Sequence, residues 1–364
     1  MKTKFIIPTW EAVQNFAYQL WLERGKVHGY HEIDWLMAKR KLELELNYEN
    51  VFQNKLVASK RTRFGDRKKR KCRYCDGTAP DKTFSTTAHA VSEMIGNKAM
   101  FADDECDTCN ATTNKLEDHL ANLVELTLRL TNVVGKGGKK TFETRKQQSR
   151  IANNRGVLAI HESPDDPLTH FGPHGMTHQA ETKPFVPIAV FKCLTKFAMA
   201  VLPDDELTYF TETRKWVMNP DHEFKPHGFS QFVAVRHFLP GNFPIGSGFV
   251  SLFRRRKSIV GLPYMIFLVA FTNLAFQITL PFCTQDSHLL GQEIPNPILP
   301  YGWDFKPSVG PPTLQLMPLG SSSKTTCRVE VINDVSLQTE DQHSEWEAMR
   351  SHFNPTESSE IDSL

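Results

Sequence analysis

Cys72-Arg73-Tyr74-Cys75 and Cys106-Asp107-Thr108-Cys109 are the two short segments that decide the fold of the central part of this chain. Each segment is a Cys-x-x-Cys pair, and residues 76–105 separate the two pairs. This spacing is typical of a zinc site with four thiolate ligands. Four thiolates fill the tetrahedral shell of Zn²⁺ and leave no position for a substrate, so the predicted zinc is structural. A redox-active disulfide pair and four unrelated cysteines are the competing interpretations.

A histidine and an asparagine lie inside and directly after this cysteine frame. His89 lies between the two pairs, and Asn110 directly follows the second pair. A helix is predicted to begin near Asn110, because the residues that follow recur at helical spacing on one face. The positions on that face are Leu116, Leu120, Leu123, Val124, Leu126, Thr127 and Leu130.

Several elements between the first cysteine pair and the predicted helix form one pattern. They are Cys72 and Cys75, Phe84-Ser85-Thr86-Thr87-Ala88-His89-Ala90-Val91, Ile95-Gly96-Asn97, Cys106-Asp107-Thr108-Cys109-Asn110 and Asn114-Lys115-Leu116-Glu117. With these elements, residues 72–128 resemble an HNH endonuclease of the zinc-knuckle type. The resemblance implies the ββα-metal fold, a treble-clef-like module. In that fold His89 ends the first strand, Gly96-Asn97 turns the chain, and Cys109-Asn110 begins the helix.

The resemblance also implies a catalytic site. His89 is the implied general base, which takes a proton from the water that attacks a phosphodiester bond. Asn110 occupies the position of the family's last signature residue, which binds a divalent ion, and Asn114 follows one helical turn later. The implied ion is Mg²⁺ or Mn²⁺, which stabilises charge on the phosphate and the leaving oxygen. The implied activity is metal-dependent hydrolysis of DNA, in phage defence or a mobile element.

Two departures from the family pattern leave alternatives open. Ala88 stands where many family members carry an acid that helps to hold the metal. Asp103, Asp104 or Glu93 is the candidate substitute for that acid. The middle asparagine of the pattern also has three candidates, Asn97, Asp103 and Asp104. An inactive site is therefore the competing interpretation, and a non-catalytic zinc module that binds nucleic acid or a protein partner is the competing function.

Charge is unevenly distributed along the chain, although the net charge is only +2. Basic residues concentrate in 60–73, directly before and within the first cysteine pair, and acidic residues concentrate near the C-terminus. The basic run is predicted to contact the phosphates of a nucleic acid, DNA rather than RNA, and a solvated linker is the alternative. The predicted contact residues are Lys68, Lys69, Arg70, Lys71 and Arg73.

The N-terminal segment is predicted to form a hairpin of two helices. Its apolar residues recur at helical spacing on both sides of two glycines, Gly25 and Gly29. The segment resembles a small bacterial domain of unknown function, through residues that carry no implied activity. We interpret it as a packing or docking hairpin. The matching residues are Leu20-Trp21, Gly25, Asp34-Trp35-Leu36 and Ala38.

The rest of the chain predicts an α+β architecture, because helices within residues 185–216 are followed by several strands. Residues 258–282 are predicted to form two buried strands joined by a turn rather than a membrane span, because polar residues and prolines interrupt the segment. The predicted domains are a helical hairpin at 1–50, a basic connector at 51–71, a nuclease module at 72–134, an α+β region at 141–320 and a polar, flexible tail at 321–364.

Cysteine usage predicts a cytoplasmic protein. Three scattered cysteines remain outside the two pairs, which is not the pattern of a secreted disulfide protein, and the N-terminus does not resemble a signal peptide. No membrane contact is predicted, and a homo-oligomer is compatible with the sequence. Four histidines near Gly172 and Pro173 suggest a flexible loop rather than a second metal site. They are His161, His170, His174 and His178.

Overall fold

The computed structural model describes residues 3–66, 68–131, 133, 141–154, 157–172, 175–239, 248–293, 295–301 and 312–334. These residues form an α+β fold, as the sequence predicts, with two N-terminal helices, a six-stranded sheet and three small sheets. No helix within the described ranges is both long and apolar enough to cross a membrane.

The N-terminal hairpin consists of α1 (Trp10–Glu23) and α2 (His31–Asn47), as predicted. The hydroxyl of Thr9 caps α1 by accepting a hydrogen bond from the amide of Ala12. A buried pair, Arg24 and Asp34, joins the two helices with an N–O distance of 2.5 Å. Val13, Leu20, Met37 and Ala38 form the small core between the helices.

The central scaffold is an antiparallel sheet with the strand order β1-β11-β12-β13-β10-β14. The two strands predicted within residues 258–282 are confirmed as a hairpin, with Thr272 at the turn in the left-handed region (φ 52°). The strands are β1 (Tyr48–Lys55), β10 (Val233–Phe238), β11 (Phe249–Arg255), β12 (Met265–Phe271), β13 (Leu274–Thr279) and β14 (Thr313–Pro318).

Strand β1 departs from the predicted domain boundaries. Residues 51–55 were assigned to a basic connector, but they lie in β1 and pair with β11. The strand is mostly polar, so no apolar alternation marked it in the sequence. The N-terminal hairpin and the C-terminal region therefore share one sheet, rather than being separated by a linker.

The two faces of this sheet carry different layers. Phe267, Val269 and Phe276 belong to the large core, which also contains the buried helix α4 (Pro187–Val201). The alternate residues Ile266, Leu268 and others point to the opposite face, toward Leu44 of α2 and Leu299. The large core also receives α3 (Asp107–Leu130), which buries the predicted apolar face, and α5 (Thr211–Met218).

Three short strands lie between β1 and α3 in the chain. They are β2 (Thr62–Phe64), β3 (Ala88–His89) and β4 (Met100–Ala102). Strand β4 lies in the middle, antiparallel to β3 and parallel to β2. The order along the chain is therefore β3, β4 and then α3, with the cysteine pairs before β3 and at the start of α3.

The two remaining small sheets correct two predictions. Three of the four clustered histidines lie in strands rather than in a flexible loop, and His174 lies outside the described residues. Part of the predicted flexible tail forms β15, which pairs with β9, whereas residues 335–364 lie outside the described ranges. The strands are β5 (Phe142–Glu143), β6 (Arg150–Asn154), β7 (Val157–His161), β8 (Thr169–Gly172), β9 (Gly175–Glu181) and β15 (Arg328–Asp334).

Candidate metal centre and the His89 hairpin

The four predicted zinc ligands come together in space. The sulfur atoms of Cys72, Cys75, Cys106 and Cys109 all lie within 4.8 Å of one another, and those of Cys75 and Cys106 are 3.8 Å apart. A tetrahedral zinc with Zn–S bonds of about 2.3 Å separates its sulfur ligands by about 3.8 Å. The amide of Cys106 also points at the sulfur of Cys72, at 3.5 Å. The donor set and its spacing therefore fit a structural zinc ion.

The thiol pKa values show why this cluster favours a cation. Hydrogen bonding with Cys72 and burial raise the pKa of Cys109 far above its usual range, and burial raises the pKa of Cys106 to about 11. The pKa of Cys72 falls to about 4, chiefly because the Cys109 thiol donates to its sulfur. The raised pKa values of Cys106 and Cys109 mean that further negative charge in this cluster is costly without a cation. A zinc ion would deprotonate the remaining thiols.

Local hydrogen bonds shape the two cysteine loops. The chain turns tightly after the first pair, where the amide of Cys72 donates to the carbonyl of Gly77 at 2.8 Å. Cys106 is the N-cap of α3, and Asp107 begins that helix. The Asp107 carboxylate accepts from the amides of Ser85 and Thr86 at 3.1 and 2.8 Å, which ties the segment before β3 to the helix start. Hydrogen bonds from Thr83, Thr86 and Ser85 lower the pKa of Asp107.

His89 lies on a short hairpin close to this cluster. Strands β3 and β4 pair His89 with Phe101, and the two rings are 4.8 Å apart at their centroids. The Nε2 atom of His89 is 3.6 Å from the Glu93 carboxylate, and Nδ1 is 3.5 Å from the amide nitrogen of Asn97. The side chain is 21% exposed, so solvent or a substrate can still reach the ring. Ser92, on the same hairpin, hydrogen-bonds Glu117 of α3.

Asn97 holds the turn between β3 and β4. Its amide nitrogen donates to the carbonyls of Val91 and Met100 at 2.6 and 2.8 Å, and its oxygen accepts from the amides of Ala99 and Met100. The preceding residue, Gly96, has φ 96°, a conformation that disfavours a side chain. Among the three candidates for the middle asparagine, Asn97 is the one that stabilises this turn.

Asp103 and Asp104 have other partners. The Asp103 carboxylate is 2.5 Å from the guanidinium of Arg63, and that of Asp104 is 2.8 Å from Arg73. Burial raises the pKa of Asp104, although Arg73 opposes the shift. Their contacts do not support the predicted recruitment of these acids to a second ion. Within the described residues, the four cysteines are the one group of three or more His, Cys, Asp or Glu side chains close enough to share an ion.

Asn110 and Asn114 lie on the first turns of α3. Asn110 is half-buried and its amide donates to the carbonyl of Cys106 at 2.9 Å, while Asn114 is exposed. The contacts of His89 described above are with Glu93, Asn97 and Phe101. Their predicted role as metal ligands stays a prediction.

A buried lysine from outside the cysteine frame also contacts this hairpin. Lys196 lies in α4, is 1% exposed, and donates from Nζ to the backbone carbonyl of His89 at 3.0 Å. Its Nζ is 3.3 Å from the Glu105 carboxylate and 4.0 Å from that of Glu117. Burial pulls the pKa of Lys196 down, but the two carboxylates raise it above its ordinary value. No local signal in the apolar sequence of α4 indicated this role.

The predicted nucleic-acid contacts fall into two groups. Lys68, Lys69, Arg70 and Lys71 are exposed, as such contacts require. Arg73 is 5% exposed, and its guanidinium binds Asp104, Asp204 and the carbonyl of Leu202. A buried guanidinium that is bonded within the protein cannot contact a phosphate, so Arg73 leaves the predicted contact set. Its bonds instead fix the first cysteine loop against the end of α4.

Two arginines of the predicted basic run lie against the Phe101 ring, which pairs with His89. Arg63 pairs with Phe101 across β2 and β4, and Phe101 pairs with His89 across β4 and β3. The guanidinium groups of Arg61 and Arg63 are exposed and lie 5.6 and 5.4 Å from the Phe101 ring. Directly paired residues share one face of a sheet, so Arg63 and His89 face the same side, and Arg61 lies against the same Phe101 ring.

Comparison with known proteins matches one segment of the chain. Residues 8–43 match the family described as "Protein of unknown function (DUF2934)", which covers the helical hairpin and agrees with the predicted resemblance. No curated protein matches the chain, and no solved structure matches it. The match assigns no activity to the hairpin, and the HNH resemblance of residues 72–128 has no support from these comparisons.

Proposed function

We propose that the segment from Cys72 to Leu128 is a metal-dependent endonuclease module of the HNH type, with a treble-clef-like ββα fold. The observation that carries the proposal is the placement of His89. Its imidazole lies on a two-stranded hairpin, between Glu93 and Asn97, and the hairpin is joined to the helix that the second cysteine pair begins. Asn97 corresponds to the middle asparagine of the proposed motif.

In the proposed reaction, His89 removes a proton from the attacking water as the water adds to a phosphodiester phosphorus. The Glu93 carboxylate, 3.6 Å from Nε2, would then stabilise the imidazolium that forms. The carbonyl of His89 is held by Lys196, so the ring is carried on a fixed backbone. These contacts give His89 a defined orientation, which general-base catalysis requires.

The catalytic ion remains part of the proposal. Mg²⁺ and Mn²⁺ prefer oxygen donors, and the proposed donors are the amide oxygens of Asn110 and Asn114 and the Glu93 carboxylate, which an ion would share with Lys98 and His89. When bound, such an ion supplies charge stabilisation at the phosphate and the leaving oxygen. The cysteine cluster is a separate site, because its four sulfurs suit zinc and leave no open position.

The surface next to His89 suits a polyanion. Arg63, which also pairs with Asp103, shares the sheet face of His89, and Arg61 lies against the same Phe101 ring. The exposed run from Lys68 to Lys71 follows β2 in the chain. Arginine guanidinium groups bind phosphate oxygens in pairs, and these contacts position the backbone without reading sequence. We therefore propose DNA as the substrate, cut without strong sequence preference.

Cleavage of a supercoiled plasmid tests the proposal. Purified zinc-loaded protein is incubated with plasmid and Mg²⁺ or Mn²⁺, beside the variants His89→Ala and His31→Ala. Loss of a general base is expected to lower the cleavage rate about 10²-fold or more. His31 is an exposed histidine of the hairpin, so its substitution should leave the rate unchanged. Equal cutting by the His89→Ala variant would remove His89 from the mechanism.

A second candidate is a non-catalytic zinc module that binds nucleic acid or a protein. Ala88 favours it, because this buried residue stands in place of a metal-binding acid, and Asp103 and Asp104 are paired with arginines. This alternative predicts no plasmid cleavage by the unmodified protein with either ion. If nucleic acid is the partner, binding should weaken steeply as salt is raised.

A further inference from the structure

A cavity of about 230 Å³ lies between α2 and the segment 295–299. It is on the face of the six-stranded sheet that carries Tyr48, Leu262 and Leu299, opposite the face that packs on α4. The cavity is thus remote in the fold from the His89 hairpin, which packs against α4. Its volume is several times that of a water molecule, about 30 Å³.

One wall of the cavity carries positive charge. Lys39 and Arg40 of α2 both line it. The Nη1 atom of Arg40 is buried and has no hydrogen-bond partner among the described residues. Burial lowers the pKa of Arg40, although the nearby acid Glu43 opposes the shift. Because burial disfavours the charge of Arg40 and its side chain lines the cavity, an anion in the cavity would lower the cost of burying that charge.

His237 is a titratable side chain close enough to Arg40 for their charges to interact. His237, in β10, is 1% exposed, and its pKa falls to about 4 because of burial and the nearby charge of Arg40. The ring is therefore neutral at pH 7, with burial as the larger cause and the charge of Arg40 as the smaller one. Glu43 also lines the cavity, and its carboxylate is 3.8 Å from the ammonium of Lys39, so Arg40 supplies the net positive charge of this wall.

The opposite wall is apolar and firmly held. The segment 295–299 is fixed to β13 by Gln277, whose amide nitrogen donates to the carbonyl of Pro297 at 2.6 Å and whose oxygen accepts from the amide of Leu299 at 2.8 Å. Apolar side chains supply most of the remaining lining, with Asn47 already bonded to the backbone of Ile6. The apolar lining residues include Phe5, Leu36, Leu44, Leu262, Pro295 and Ile298.

We propose that this cavity binds a small organic anion, a carboxylate or phosphate monoester on a compact apolar body. The anionic group pairs with Arg40, and the apolar body lies against the wall formed by 295–299. Guanidinium groups bind both anions through paired hydrogen bonds, and mostly apolar pockets with a few placed polar groups are typical ligand sites. The site is independent of the proposed nuclease. It gives the N-terminal helical hairpin a function, because α2 forms one wall of the binding site.

Calorimetry with defined probes tests this proposal on the full-length protein. Benzoate and phenyl phosphate are titrated separately, and benzamide serves as the uncharged analogue of benzoate. We expect benzoate or phenyl phosphate to bind, and benzamide to bind at least about tenfold more weakly, since one charge-assisted contact is worth about that factor. The anion that binds more tightly identifies the carboxylate or the phosphate as the preferred group.

Two substitutions locate the binding. Arg40→Met should raise the Kd of the bound anion at least about tenfold, whereas Lys41→Met, next in sequence but outside the cavity lining, should leave the Kd unchanged. Leu36→Trp, at the exposed rim, should block entry with Arg40 intact and covers the case in which Arg40→Met fails to fold. The proposal is overturned if neither anion binds the unmodified protein, or if the Kd is unchanged in whichever of these two cavity variants folds.

Discussion

At the residue scale, side chains that hydrogen-bond to backbone groups stabilise the conformation of the His89 hairpin. Asn97 bonds both strand ends at once, and Lys196 bonds the carbonyl of His89. The sequence marked His89 by its position between cysteine pairs. It did not mark the side chains that hold His89, because their partners are backbone atoms that any residue could supply.

The amide of Asn97 gives a first prediction. Asn97→Asp keeps the size of the side chain but removes the two hydrogen bonds donated to Val91 and Met100, so it should lower the free energy of unfolding by about 2–3 kcal/mol. Asn122→Asp removes one exposed bond to Pro184 and should cost less than about 1 kcal/mol. Denaturant unfolding of the zinc-loaded variants measures both. Equal losses would mean that Asn97 has no special role in the turn.

His237 gives a second prediction, on pH. Its folded-state pKa of about 4 lies below the ordinary value of 6.5. As pH falls, His237 is therefore protonated in the unfolded chain at a higher pH than in the folded protein. The contribution of His237 to the free energy of unfolding is therefore fully present above pH 6.5 and is lost as pH falls toward 4. His237→Phe should lose less stability between pH 7 and pH 4.5 than the unmodified protein, by about 2 kcal/mol. Parallel stability curves for the two proteins would refute the assignment.

At the element scale, α4 connects the sheet to the cysteine module. The helix is buried along its whole length, yet it carries two lysines that reach different partners. Lys196 reaches His89, Glu105 and Glu117, whereas Lys192 donates to the carbonyls of Asn219 and Asp221. Burial lowers the pKa of Lys192 to about 8, although the charge of Asp221 opposes the shift.

These two lysines form a matched pair for a third prediction, which rests on the proposed nuclease. Lys196→Met frees the His89 carbonyl and leaves two carboxylates without their cation, so plasmid cleavage should fall at least tenfold, equivalent to about 1.4 kcal/mol. Lys192→Met removes a similar buried ammonium from the same helix and should keep the cleavage rate. Hydrogen exchange of residues 88–102 should accelerate in the first variant alone, a readout that does not depend on activity.

Cleavage and exchange together separate the outcomes. If the unmodified protein does not cut DNA but Lys196→Met still accelerates exchange in 88–102, the positioning role stands and the nuclease proposal fails. If exchange and cleavage are unchanged in Lys196→Met, Lys196 does not position His89.

At the scale of the whole molecule, the cysteine module is joined to the rest of the chain by buried charge. Arg73, inside the first pair, bonds Asp204 and the end of α4, and Arg214 of α5 donates to the carbonyl of Arg73 at 2.7 Å. The N-terminal hairpin is joined in turn through β1, which pairs with β11. The predicted modules are therefore parts of one continuous packing arrangement.

This continuity gives a fourth prediction, on metal removal. Chelation of zinc should lower the temperature of the main unfolding transition of the whole chain, rather than create a separate small transition, because Arg73 and Lys196 link the cluster to the large core. Calorimetry with and without a chelator measures this effect, and Zn²⁺ but not Mg²⁺ should restore the transition. A main transition that chelation leaves unchanged would show that the module unfolds independently.

The sequence by itself determined the features that depend on local spacing. Neighbouring residues were enough to predict the two cysteine pairs from their spacing. They were also enough to predict α3, α4 and the strand hairpin of residues 258–282 from the pattern of their apolar residues. Only the tertiary structure decided that Arg73 is buried, that β1 joins the C-terminal sheet, and that Arg63, Phe101 and His89 form one row. These depend on strand register and on charge pairing between residues far apart in the chain, which no local pattern specifies.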